Sequence, residues 1–260
     1  MKNVIPVGIR MKPTTAEFFK NWRENYEWPY NVGRSKSEKQ IHKLQVAAQT
    51  VLRTQNIERL AEVLVAIHKW KTKNRGNRST RYGETLARKQ TILEKLFEHL
   101  PITFDATPNE IITFLELLDM DYSRMPVCSA QLSFLSERQF PILDKFIGQV
   151  MSQTFDPLLL KSKDYGFQDI CLVLGNIDFR IVKGTKGKRS LATQGNSNKV
   201  NRELYATELI PQLDHAAQQL NDLGIHYTAV DGSSQRFNCV DVEMAIFAFA
   251  THNQRYFESF

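Results

Sequence analysis

Asp144 is the residue of this chain best placed to do chemistry. It ends the run Phe140-Pro141-Ile142-Leu143 and opens a helical pattern, KFIGQVM. A fixed carboxylate beside a carbon that develops positive charge stabilises that charge and can take a proton from an attacking water. The partial positive charge of the following helix N-terminus suits an anion there. The same place also suits an Asp that only caps the helix. Residue type alone leaves both roles open.

The segment that must position Asp144 runs from Thr107 to Val150 and reads as an apolar helix, a tight turn, a second apolar helix and a short connection. Thr107 is an N-cap with Pro108 at the first helical position. The text LLDMDYSRMPVCSAQLSFL, followed by SERQFPILD, resembles the helix-hairpin-helix DNA glycosylase superfamily, especially divergent bacterial or phage-related members. The matching positions are Leu118, Ser129, Leu132, Phe134, Phe140, Pro141, Ile142 and Asp144. The stretch DVEMAIFAFA (241–250) is similar to the last helix of those proteins. The resemblance implies a mainly α, two-lobed helical fold and double-stranded DNA as partner. It further implies base excision, with Asp144 hydrolysing the N-glycosidic bond through an oxocarbenium-like state. No cofactor, metal or iron–sulfur cluster is expected.

Two departures refine that expectation. The family's hairpin usually carries two glycines that let backbone N–H groups approach a phosphate; here Asp121 and Ser123 stand at those positions. Because Asp121 repels a phosphate, hairpin contact through Ser123 and Arg124 is expected either to be weak or to lean on Arg124. Bifunctional members carry a Lys early in the second hairpin helix. The residue 19 positions before Asp144 is Met125, so a monofunctional enzyme using water is expected.

A base taken out of the stack needs an aromatic pocket. The candidates are Trp22, Trp28, Tyr30 and Trp70, three of them in the cluster WRENYEWPY (22–30). Packing of the N-terminal arm and of a core edge would use the same rings. Phosphate contact needs cations, whose counterion release makes binding fall with salt. Lys71, Lys73, Arg75 and Arg78 lie in one basic stretch, Lys186, Lys188 and Arg189 in a second, and Lys199–Arg202 forms a third. Solvated loops have the same composition.

The rest of the chain is read as scaffold. Helices are expected at 14–25, 37–54 and 57–73, the last capped by Asn56, then at 82–99, after Thr107, at 203–223 and at 239–251, with a basic loop over 73–81. A β-hairpin is expected around 170–183 and a mobile basic stretch over 183–202. The expected lobes are 1–55 with 203–260, 56–154 carrying the hairpin, and a basic, partly β insertion over 155–202.

With 260 residues and 42% hydrophobic content the chain can bury a real core, and its net charge of +6 permits a polyanionic partner. Three scattered cysteines rule out a Cys-rich zinc or iron–sulfur module and fit a reducing cytosol. The absence of a membrane-length apolar run or signal core makes a soluble, cytoplasmic protein the expectation, and a monomer is expected beside it. The histidines show no metal-ligand spacing, and GTKGKR lacks the phosphate-loop pattern. Ser233 and Ser234 lie in a turn, and Glu243 is read as a buried partner of Arg236 or a surface residue.

The leading reading is a monofunctional glycosylase acting on an alkylated or hypermodified base, as in phage genomes. A catalytically silent hairpin module that binds nucleic acid or protein is the alternative, and a helical interaction protein without nucleic acid is a third.

Overall fold

The computed structural model describes residues 11–24, 26, 34–73, 77–121, 123–152, 173–183, 189–191, 195–229 and 231–253. In chain order the helices are α1 (Pro13–Glu24), α2 (Arg34–Thr54), α3 (Ile57–Thr72), α4 (Arg78–Ala87), α5 (Gln90–Glu98), α6 (Pro108–Leu118), α7 (Met125–Leu135) and α8 (Lys145–Met151). After them come α9 (Gly195–Leu204), α10 (Ile210–Asp222) and α11 (Cys239–His252). Two short antiparallel hairpins pair β1 (Ile181–Lys183) with β2 (Arg189–Leu191), and β3 (Tyr227–Thr228) with β4 (Ser234–Gln235). The described chain is therefore mainly helical. None of its helices is long and apolar enough to cross a membrane.

The chain divides into two units. One comprises residues 27–144 and 193–206, the other 1–26, 145–192 and 207–260. These boundaries differ from the lobes drawn from sequence, because α2 and α9 group with the hairpin while α8 and β1–β2 group with the termini.

In the hairpin unit, α3 starts where Asn56 accepts a hydrogen bond from the Arg59 N–H at 2.9 Å, and ends at Lys73, whose left-handed φ of 53° stops the helix. Its stripe of Leu60, Leu64 and Ile67 is fully buried. The single helix expected over 82–99 is two: α4 begins at Arg78, and the chain breaks at Arg88–Lys89 before α5. Leu86 and Leu93 are seven residues apart, two helical turns, so the apolar pattern runs through the break and conceals it. Thr107 and Glu110 form a reciprocal capping box at α6, with Pro108 in the first turn. Every residue of α7 except Pro126 is buried, as expected for a helix that is apolar on nearly every side.

In the other unit, α11 is buried on almost every face and is capped by a second reciprocal box, Asn238 with Asp241. Helix α1 packs on it through Phe18, whose ring centroid lies 5.1 Å from that of Phe249. Asp241 joins three elements: it accepts from Arg23 of α1 at 2.8 Å and from the Tyr227 hydroxyl of β3 at 2.9 Å.

Helix α8 is buried from Phe146 to Met151 and leans on β2. At Gly148 a Cβ would lie 2.8 Å from Leu191 Cδ2, so only glycine admits this approach without displacement.

Two expectations are corrected in this region. The hairpin lies at 181–191, with Ile181 opposite Leu191 and Lys183 opposite Arg189. Residues 175–180, expected to form strand, have no regular structure. The stretch expected to be mobile contains α9, which continues through a π-turn (Tyr205–Leu209) into α10. Pro211 accounts for that turn: it has no N–H to offer the carbonyl of Thr207.

Candidate active site

Asp144 follows a segment, Phe140–Leu143, that is buried along its whole length and belongs to no helix or strand. Two hydroxyls hold its backbone. Tyr205, at the start of the π-turn, donates to the Pro141 carbonyl at 2.6 Å. Ser129 of α7 accepts from the Leu143 N–H at 3.0 Å and donates towards the Leu143 carbonyl at 3.3 Å. These bonds satisfy backbone groups that would otherwise be costly to bury. They also set the direction in which the chain delivers Asp144.

The Asp144 carboxylate meets a lysine. Lys71 Nζ, in the last turn of α3, lies 3.7 Å from Asp144 Oδ2, and the two side chains are 12% and 13% exposed. At that separation the contact is an ion pair rather than a hydrogen bond. A cation also suits the C-terminal turn of a helix, where the dipole is negative. The pair is open enough for a ligand to reach, yet dry enough for charge to act more strongly than at a free surface. Of the residues singled out in the sequence, Asp144 and Lys71 are brought together.

Trp70, beside Lys71, is half-buried and packs edge-on against Phe134 of α7, centroids 5.3 Å apart at 89°. Trp22 packs within its own unit, against Phe249 at 5.5 Å and His252 at 5.3 Å. Both rings take part in core-edge packing. Lys73 and Arg78 are exposed at the end of α3 and the start of α4. Arg189 pairs through its backbone with Lys183. Trp28, Tyr30, Arg75, Lys186 and Lys188 lie outside the described residues.

The hairpin turn is arranged differently from the expectation. Ser123 is fully buried: its hydroxyl lies 3.4 Å from Gln131 Oε1 and 3.5 Å from Cys128 Sγ, and its N–H donates to the Met120 carbonyl at 2.9 Å. It therefore cannot serve as the side-chain phosphate contact expected of it. The N–H groups of Asp119 and Met120 are also spent, on the carbonyls of Glu116 and Leu118. Arg124, its side chain 39% exposed, reaches back to Asp119 at 3.3 Å.

Asp119 gathers two further donors from α9, Asn198 at 2.6 Å and Arg202 at 2.5 Å, and Arg202 also reaches Glu116 at 3.3 Å. Asn198 and Arg202 stand four apart and so share a helix face. This bracket explains why the basic stretch is an ordered helix there.

Behind the hairpin lies a buried polar chain. Gln131 Nε2 is 2.9 Å from the Tyr82 hydroxyl and 3.1 Å from the Leu64 carbonyl, and the His68 ring stacks on Tyr82 at 4.6 Å with Nδ1 3.0 Å from Ser79. Burial raises the Tyr82 hydroxyl pKa, against the lowering effect of the Gln131 hydrogen bond. This chain fastens α3, α4 and α7 together. Glu243 is buried in α11, whereas Arg236 is exposed.

Tyr205 and the Asp119 bracket escape a reading of the sequence alone. Their only signal is the i, i+4 spacing of Asn198 and Arg202. Ser129 is one of the positions that carry the resemblance, but its bonds to Leu143 have no local signature. Among the described residues no group of three or more His, Cys, Asp or Glu side chains could hold a metal. No family model, curated protein or solved structure matches this chain.

Proposed function

We propose that this chain is a monofunctional DNA glycosylase that hydrolyses the bond between a modified base, alkylated or hypermodified, and its deoxyribose. The observation that supports the reading is the Asp144 carboxylate, partly open to solvent and delivered by a backbone pinned at Pro141 and Leu143. As the C1′–N bond breaks, its electron pair leaves with the base and positive charge spreads over C1′ and the ring oxygen. Asp144 stabilises that charge and receives a proton from the water whose oxygen joins C1′. The buried apolar Met125, in place of an amine, agrees with the water route.

The test is abasic-site formation on plain, alkylated, deaminated and hypermodified duplex DNA, developed with alkali. Base loss from one DNA alone, with scission only after alkali, is the expected result. Asp144→Asn should lower the rate by about 10²–10⁴-fold. Base loss undiminished in that variant overturns the role of Asp144, and scission before alkali overturns the water route.

The turn, with the N–H groups of Asp119, Met120 and Ser123 spent internally and Ser123 buried, favours a second reading: a silent module that binds nucleic acid or a protein partner. Salt-sensitive DNA binding without base loss on any DNA would decide for a silent nucleic-acid module.

A further inference from the structure

We infer that the Lys71 ammonium is exchanged between two anions, Asp144 in the free protein and a DNA phosphate in the complex. This rests on the reading of the chain as a DNA-binding enzyme and concerns how its site is held before DNA arrives.

Three observations lead to it. The pair is 3.7 Å long, too long for a hydrogen bond, so charge attraction rather than a directional bond links the two groups to each other. Both side chains keep about an eighth of their surface in solvent, so an incoming anion can reach them. A lysine is a point charge on a flexible four-carbon stem and can re-aim while its backbone stays in α3. Lys73 and Arg78, both exposed, bracket the same end of α3 and the start of α4 and add to the positive potential there.

The chemistry gives the exchange a direction. A carboxylate beside an ammonium exerts a weakened field on any cation near it. While Lys71 sits against Asp144, the field that the carboxylate exerts at the sugar is reduced. A phosphate that draws Lys71 away restores it, so binding arms the carboxylate at the moment the sugar is in place. The exchange has a cost: the energy of the resting pair is subtracted from DNA affinity. A variant without the carboxylate should therefore bind more tightly, and only as long as Lys71 is present.

The test is a binding cycle on a short duplex carrying one tetrahydrofuran abasic-site analogue, titrated at several salt concentrations. Asp144→Asn should tighten binding about 3- to 10-fold. The gain should vanish in the Lys71 background: Lys71→Gln and Lys71→Gln/Asp144→Asn should bind alike. Lys71→Gln alone leaves Asp144 without this cation and could fold poorly, so the slope comparison uses the double variant, which removes both charges together. Relative to Asp144→Asn, its plot of log affinity against log salt should flatten by about one unit, the signature of one fewer phosphate neutralised. Lys71→Arg should keep the slope.

A gain from Asp144→Asn that persists undiminished without Lys71, or an unchanged slope in the double variant, overturns the exchange and leaves the enzyme reading standing. Wild-type protein that binds no DNA overturns both. Exchange observed without base release on any DNA supports the inference and removes only the catalytic reading.

Discussion

Ser129 does for Asp144 what no helix or strand does over residues 140–143. Its hydroxyl serves both the N–H and the carbonyl of Leu143, one residue before the carboxylate. Ser129→Ala leaves those buried groups without that partner, at a cost of about 1–3 kcal/mol, read from urea melts. If Asp144 is catalytic, base release should fall further than stability alone explains, because the carboxylate loses its aim. Unchanged melts would remove Ser129 from this role.

The buried thiols make a separate prediction. Burial pushes the Cys128 thiol from 9.0 up to about 12, with the Ser123 hydrogen bond opposing the shift. At pH 8 on the order of one molecule in 10,000 would carry the thiolate, so alkylation of the folded protein followed by peptide mapping should leave Cys128 unmodified. The neutral thiol is favoured in the folded state, so its contribution to stability is full below pH 9 and lost as pH rises towards 12. Urea melts at about pH 8 and about pH 10 should show the decline, and a smaller one in Cys128→Ala.

At the scale of elements, α8 is held against β2 by an absent side chain. Gly148→Ala would bring its Cβ to 2.8 Å from Leu191 Cδ2, itself buried. Overpacking of this kind costs about 1–3 kcal/mol, and Leu191→Ala in the same chain should recover part of it; no recovery would show that the close approach is not the cause.

The helices were legible where local rules decide. Asn56, Thr107 and the strongly apolar α7 and α11 announced themselves through caps and composition. The α4–α5 break did not, because Leu86 and Leu93 preserve the periodicity across it. Sequence places the hairpin too early because β-branched residues before Ile181 look like strand, while the pairing that decides the matter is with Ser190 and Leu191, beyond a Gly/Lys-rich stretch. Helix α9 was hidden by its Gly/Asn/Ser composition, since what orders it is Asp119, 79 residues from Asn198 in sequence. In the candidate site, the flanking text singles out Asp144 only as a candidate. Its partner Lys71 reads in sequence only as a cation, because a pairing between positions 71 and 144 leaves no local pattern.

At the scale of the whole molecule, burial among the described residues is concentrated in α7 and α11, one in each unit. Amides with the most buried surroundings open last. Hydrogen exchange should therefore find the slowest amides in these two helices, with the outer turns of α2 and α4 faster. Slower exchange in α2 than in α7 would contradict this account of the core.

The order in which the chain visits its units has a practical consequence. It passes from one to the other after residues 26, 144, 192 and 206, so neither unit is a continuous stretch of sequence. A truncation to residues 27–144 keeps the hairpin and Asp144 but discards Asn198, Arg202 and Tyr205. Asp119 then loses two donors and the Pro141 carbonyl its hydroxyl. Dissection by cutting the gene at these points would yield a fragment whose failure says nothing about DNA or catalysis, because a hairpin unit fit for separate expression must also carry residues 193–206, which supply those struts.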